Sequence, residues 1–290
     1  MSIIEYRGKG YSSIEDTGIP IIKSTGSFMA QLPRSEKNIP PVARRAYDGL
    51  TFLTYRGATL PASAETYHHS RNVALVIAEM ARDSNQPKPV VVADIGTGSG
   101  IIAITIAHSL PAETGQVDPT VKVIATDISG RALEVAELNA RLNATPQVKF
   151  RRKDILEDLV LEFGKIDVII SNPPFFPTNR IADRYKRSDY IPMLAIDGGE
   201  DTMAMYRKLF EQAGDALSDT GFIFVEHRTF HQESVLNLAR EHLPGATVLA
   251  VNGAKEASTS TAVGSPDTIA LVSLLAWFLL SLAGGIAIIL

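Results

Sequence analysis

The sequence predicts an α/β protein, a mostly parallel sheet with helices on both faces. Three observations carry this. Short apolar runs alternate with helical patterns from about residue 88 onward. The runs are apolar throughout, as strands buried on both faces are. A glycine-rich turn, "DIGTGSG", also joins one such run to a helical pattern, the join typical of an open α/β sheet.

The elements follow in order. Residues 1–48 carry scattered Gly, Pro and charge without clear periodicity and read as an irregular or partly helical extension. "LTFLTYRGATL" at 50–60 has β-like composition, and "HHSRNVALVIAEMARD" at 68–83 places apolar residues at helical spacing. Strands are expected at 89–95, 121–126, 148–151, 166–171, 221–226 and 246–251, with helices at 100–109, 130–143, 202–217 and 231–243. The resulting division is an N-terminal extension over 1–85 with a short strand pair and a helix, a main α/β domain over 86–276, and an apolar tail over 277–290.

Composition narrows the function. The 290 residues are 45% hydrophobic and 21% charged, with a net charge of −4. No basic field of a general nucleic-acid binder is present. "RRK" at 151–153 and "RYKR" at 184–187 are local basic stretches that read first as solvated surface. The absence of cysteine excludes disulfides and thiolate-bound metals. His68 and His69 are adjacent and do not face one ligand along a regular element, so no metal site is expected. The first residues hold no apolar run of signal-peptide length, and a cytoplasmic location is expected.

The glycine turn is the first functional signal. Asp94, Gly96, Gly98 and Gly100 stand where a strand gives way to a helix. Glycine permits positive φ and close approach of a ligand to the backbone. Alone, the triplet fits a dinucleotide site, a nucleoside site or a tight turn. The next strand ends on Asp127, 27 residues beyond Gly100. A carboxylate there is placed to hold the two hydroxyls of a ribose; its structural alternative is a helix cap. The spacing D-x-G-x-G-x-G differs from G-x-G-x-x-G, which disfavours a nicotinamide oxidoreductase.

With these residues the sequence resembles class I S-adenosylmethionine-dependent methyltransferases, whose Rossmann-like domain holds a seven-stranded sheet with the last strand antiparallel. The resemblance implies S-adenosyl-L-methionine as cofactor. It puts Asp94, Gly96, Thr97, Gly98 and Gly100 around the methionine moiety and Asp127 on the ribose, with Ile128 beside it. Asp154, after the third strand, then meets the adenine amino group or caps a short helix.

The second signal is "SNPPFFP" at 171–177. An amide or exocyclic amine is a weak nucleophile because its lone pair is delocalised. Its N–H groups need acceptors that orient it in line with the methyl donor. The Asn172 side-chain oxygen and the Pro173 carbonyl supply two. Pro173 and Pro174 restrict the backbone, and Phe175 offers a face for a planar group. A proline-stopped strand before buried aromatics is the alternative. The tetrapeptide resembles the [N/D]-P-P-[Y/F/W] signature of enzymes methylating nitrogen of adenine, cytosine or glutamine.

The segment 188–213 further resembles the HemK/PrmC family, which methylates a glutamine amide in translation release factors. Pro192, Ala195, Gly198, Gly199, Asp201, Tyr206 and Arg207 match its pattern, as do Glu226 and Gln232 later. The resemblance covers about residues 88–252 and implies a protein substrate such as a release factor. Two departures stand out: "LPASAETYHH" keeps Pro61, Glu65 and Thr66 but not the family's preceding arginine, and the signature ends in Phe. Phe is common among nucleic-acid adenine methyltransferases, so N6-adenine methylation of RNA or DNA is the alternative. A non-catalytic cofactor-binding subunit is the second.

From Thr268 to Leu290 no residue is charged. "DTIALVSLLA" at 267–276 is expected as the antiparallel seventh strand, reached by a loop over 252–266. The remaining apolar residues would then dock on the domain, a partner or a membrane surface; alternatively 268–290 anchors the chain in a membrane.

Overall fold

A computed structural model describes residues 4–5, 43–82, 89–110, 120–181, 191–244, 247–252 and 259–264. In chain order the elements are β1 (Ile4–Glu5), β2 (Ala43–Tyr47), β3 (Leu50–Thr54), α1 (Ala64–Arg82), β4 (Val90–Ile95), α2 (Ile101–Ser109), β5 (Val121–Asp127) and α3 (Gly130–Leu142). There follow β6 (Lys149–Arg152), α4 (Leu159–Phe163), β7 (Ile166–Ser171), α5 (Ala204–Ala216), β8 (Leu217–His227), α6 (Gln232–His242), β9 (Thr247–Asn252) and β10 (Thr259–Gly264).

Seven strands form one sheet in the order β6-β5-β4-β7-β8-β10-β9. The first five pair in parallel, and β10 runs antiparallel to both its neighbours. β4 and β7 are buried at every residue because helices cover both faces. Alternate residues feed the two cores: Val90, Val92 and Ile170 pack with α1 and α2, while Val91, Ala93 and Ile169 pack with α5 and α6.

The expected seventh strand needs correction. The place between β8 and β9 is filled by Thr259–Gly264, with Thr261 opposite both Val225 and Ala250. That stretch reads as a loop because it is rich in Thr and Ser. A strand inserted between two others is held by backbone hydrogen bonds on both edges, and β-branched threonine suits a pleated surface without being apolar. Residues 267–276, the tail and the catalytic boundary at 276 lie outside the described residues. Among the described residues no helix is long and apolar enough to cross a membrane.

Residues 43–82 share a core with the sheet. β2 and β3 form a hairpin across Asp48 (φ 42°) and Gly49 (φ 90°), the left-handed pair that a two-residue turn requires. Tyr47, Leu50 and Phe52 pack into the same cluster as Val90 and Ile102. Two asparagines of α3 pin β3. Asn139, fully buried, accepts from Leu53 N (2.8 Å) and donates to Leu53 O (3.0 Å) and Ser99 O (2.8 Å). Asn143 makes the corresponding pair with Thr51. Helix α1 starts at Ala64, four residues before its apolar pattern, because Ser63 Oγ accepts from Thr66 N (3.0 Å) and satisfies an otherwise open amide.

Candidate active site

Strand register brings the functional segments together. Ile95 stands beside Thr126 on one side and Ser171 on the other, and Ser171 stands beside Val225. The next residues, Gly96, Asp127, Asn172 and Glu226, therefore gather at one carboxyl edge, Gly96 and Asn172 just beyond their strands and Asp127 and Glu226 at or next to the last residue of β5 and β8. Ser171 Oγ donates to Ile95 O (2.7 Å) and ties two of these exits together. This edge is where open α/β sheets bind ligands.

In the glycine turn, Gly96 (φ 71°), Gly98 (φ 55°) and Gly100 (φ 83°) all take left-handed backbone. Gly100 is required for packing as well. A Cβ there meets Ile104 Cδ1 at 2.7 Å and Ala136 Cβ at 3.2 Å, so α3 closes against the start of α2. Asp94 is fully buried, and its Oδ2 accepts from Thr97 Oγ1 (2.6 Å) and Ala103 N (3.1 Å). It fastens the turn to the first turn of α2, where an anion is favoured. Its Oδ1 is buried with no hydrogen-bond partner.

Burial pushes the Asp94 carboxyl up to about 7, against the opposing pull of the Thr97 and Ala103 bonds. A folded-state value above the unfolded one favours the folded state at low pH. That contribution is fully present below about pH 4 and is lost as pH rises through about 7. Asp94→Asn keeps an acceptor for Thr97 and Ala103 but cannot ionise. Urea unfolding at pH 5 and pH 8 is expected to show the native protein losing stability relative to this variant at the higher pH.

Asp127 accepts from Gly98 N (3.0 Å) and Ser129 N (2.9 Å). The second bond makes it a local turn-former; the first clamps the glycine turn to β5. Ile128 beside it is 50% exposed, an apolar wall left uncovered by protein. Asp154 pairs with Lys208 of α5 in a short contact. Its carboxylate is thus engaged by a cation across the sheet edge.

After β7 the chain turns through Asn172-Pro173-Pro174-Phe175. Asn172 Nδ2 donates to Thr66 Oγ1 (3.1 Å). The turn is held from outside by residues 196–199, with Phe176 N donating to Ile196 O (2.9 Å) and Gly198 N to Phe176 O (2.8 Å). Asp197 Oδ1 accepts from Thr178 Oγ1 (2.6 Å) and Gly199 N (3.0 Å). Phe175 lies 4.9 Å from Phe176, centroid to centroid, and the Arg228 guanidinium sits 4.9 Å from its ring. The expected stacking face is therefore shared with a cation.

A cavity of about 630 Å³ opens among these segments. Gly96, Thr97, Gly98, Asp127, Ile128, Asp154 and the whole turn from Asn172 to Phe175 line it. Asp94 and Gly100 stand behind the lining and shape it. The volume suits a small-molecule cofactor with part of an acceptor. The sequence gives no sign of another wall, formed by residues 57–63 and by Glu65 and Thr66 of the first turn of α1, or of the part played by Glu226. In the sequence, Pro61, Glu65 and Thr66 stand out only as a fragment of a family pattern. The Ser63 cap ahead of Glu65 and Thr66 was a readable helix start.

The site and the sheet define a class I methyltransferase fold. Residues 74–186 match the family "Methyltransferase small domain". Among curated proteins the chain is 35% identical over 167 residues to a release factor glutamine methyltransferase of Moorella thermoacetica, covering 57% of this chain and 56% of that one. It is 34% identical over 192 residues to the same enzyme of Bradyrhizobium diazoefficiens, covering 64% and 59%. The chain thus spans somewhat over half the length of these relatives. A solved S-adenosylmethionine-dependent methyltransferase of Agrobacterium tumefaciens superposes with a TM-score of 0.51 at 15% identity, covering 76% of this chain and 69% of that one; it shares the fold.

Proposed function

We propose that this chain transfers a methyl group from S-adenosyl-L-methionine to a planar –NH₂ nitrogen, that of a glutamine side chain in a protein of release-factor type. The observation that carries the reading is that the glycine turn and the Asn172-Pro173 turn line one cavity.

The residues present suit the cofactor. The Gly96–Gly98 backbone and Thr97 would take the methionine part, with the buried, unpartnered Asp94 oxygen behind them adding negative potential. The Asp127 carboxylate would hold the ribose hydroxyls, and exposed Ile128 offers an apolar face for the base. When bound, the cofactor supplies an electrophilic methyl group on a sulfonium.

The chain's own task is to orient the acceptor. Asn172 Oδ1 and the Pro173 carbonyl accept the two N–H bonds of the amide. This turns the nitrogen lone pair toward the donor and draws electron density onto nitrogen. Pro173 and Pro174 hold the two acceptors before the substrate arrives. In this reading the catalytic unit at 86–276 draws on residues 57–66 for one wall.

The similarity to release factor glutamine methyltransferases supports a protein acceptor. The test supplies methyl-labelled cofactor with either an intact release factor or RNA. Label on a glutamine side chain, located by mass spectrometry, is expected. Label appearing only on adenine in RNA would move the acceptor to a nucleobase. Cofactor binding without transfer to either would argue for a non-catalytic subunit.

A further inference from the structure

We propose that Thr66 and Glu226 are positioning residues that set which way the Asn172 amide faces; the inference rests on the function proposed above. Glu226 is only 7% exposed, and its Oε2 accepts from Thr66 Oγ1 at 3.0 Å. A hydroxyl has one hydrogen, and here it goes to the carboxylate. The two lone pairs of Thr66 Oγ1 are then left to accept. One takes the Ser63 hydroxyl (2.9 Å), the other the Asn172 amide nitrogen (3.1 Å). Thr66 is itself anchored, since its amide donates to Ser63 Oγ (3.0 Å) and its carbonyl accepts from Ser70 Oγ (2.6 Å).

The polarity of this chain of bonds has one consequence. Whatever residue 172 turns toward Thr66 must be a donor. The amide –NH₂ satisfies this; a carbonyl oxygen there would face lone pairs. Oδ1 is thereby directed to the other side, where the proposed reaction needs an acceptor. Neither orientation is intrinsic to asparagine, whose two ends are nearly the same size. Buried networks of this kind fix such choices because a mismatched polar pair is costly in low dielectric. Glu226 is steadied by His69 Nδ1 at 3.4 Å, and its backbone carbonyl accepts from the buried Tyr206 hydroxyl (2.9 Å).

The test compares Thr66→Val, which keeps the shape without the hydroxyl, with Thr66→Ser and Asn172→Ala, all in the full chain. Thr66→Val is expected to lower kcat by about 100-fold, the cost of a misplaced acceptor, with cofactor Kd unchanged. Thr66→Ser is expected to recover most of that loss, which a purely packing role for the γ-methyl would not allow. Should Thr66→Val fail to fold, Glu226→Met removes the acceptor of the Thr66 hydroxyl and is expected to show the same kcat loss. Unchanged kcat in Thr66→Val or Glu226→Met, with Asn172→Ala inactive, overturns the orienting role and leaves the proposed function standing. Full activity in Asn172→Ala overturns the proposed function itself.

Discussion

Asn172→Ala is expected to lower turnover by roughly 10²- to 10³-fold, the usual cost of removing one preorganised polar group at a reacting centre. Cofactor affinity is expected to change little. Asn172 meets the protein through Thr66, while the glycine turn is clamped separately by Asp94 and Asp127. The split separates orientation of the acceptor from seating of the donor. Steady-state kinetics with isothermal titration of S-adenosylhomocysteine measures both. A parallel loss of cofactor binding would mean that Asn172 acts mainly on the donor side.

Gly198→Ala is expected to have the second large effect, from a residue that does not line the cavity. An added Cβ lands 2.9 Å from the Pro174 carbonyl oxygen and 3.0 Å from Phe175 Cα. Both contacts are backbone, so no flexible side chain yields. Either the Pro174-Phe175 turn or the 196–199 segment must shift, and a displacement approaching 1 Å costs about 100-fold in rate. Pro174, Phe175 and Gly198 belong to none of the core clusters, so cofactor binding and thermal unfolding should stay near native. Gly130 is the control: a Cβ there meets nothing within 4 Å, and Gly130→Ala at the start of α3 should leave kcat unchanged. Native kcat in Gly198→Ala would show that the turn tolerates movement.

Much of the architecture was legible because its strands are continuous apolar runs and its helices carry a clear period. β7 falls on the residues expected, and α2, α3 and α6 end within a residue of expectation. β10 was not legible, since a Thr/Ser run satisfied on both edges looks the same as a loop when only apolarity is weighed. β2 was hidden by its two arginines, although the Asp48-Gly49 pair after it is a hairpin signal.

The site was partly legible for a similar reason. Residues on the turns after β4, β5 and β7 carry unusual types at fixed spacing, and register then assembles them. Asp94 and Gly100 read as ligand contacts, yet they brace the turn from behind. Asp154 fits both a ligand contact and a cap by sequence, and in the fold it pairs with Lys208. Thr66 and Glu226 lie 160 positions apart. Their hydrogen bond follows from how α1 packs over the end of β8, and no local pattern encodes it.

The most direct measurement of the central claim is a crystal structure of the full chain with S-adenosylhomocysteine and a glutamine-containing acceptor peptide. The account predicts the cofactor against Gly98 and Asp127, with the glutamine amide nitrogen within about 3 Å of both Asn172 Oδ1 and the Pro173 carbonyl. A glutamine bound away from those two oxygens, or a cofactor seated outside the cavity they share, would contradict it.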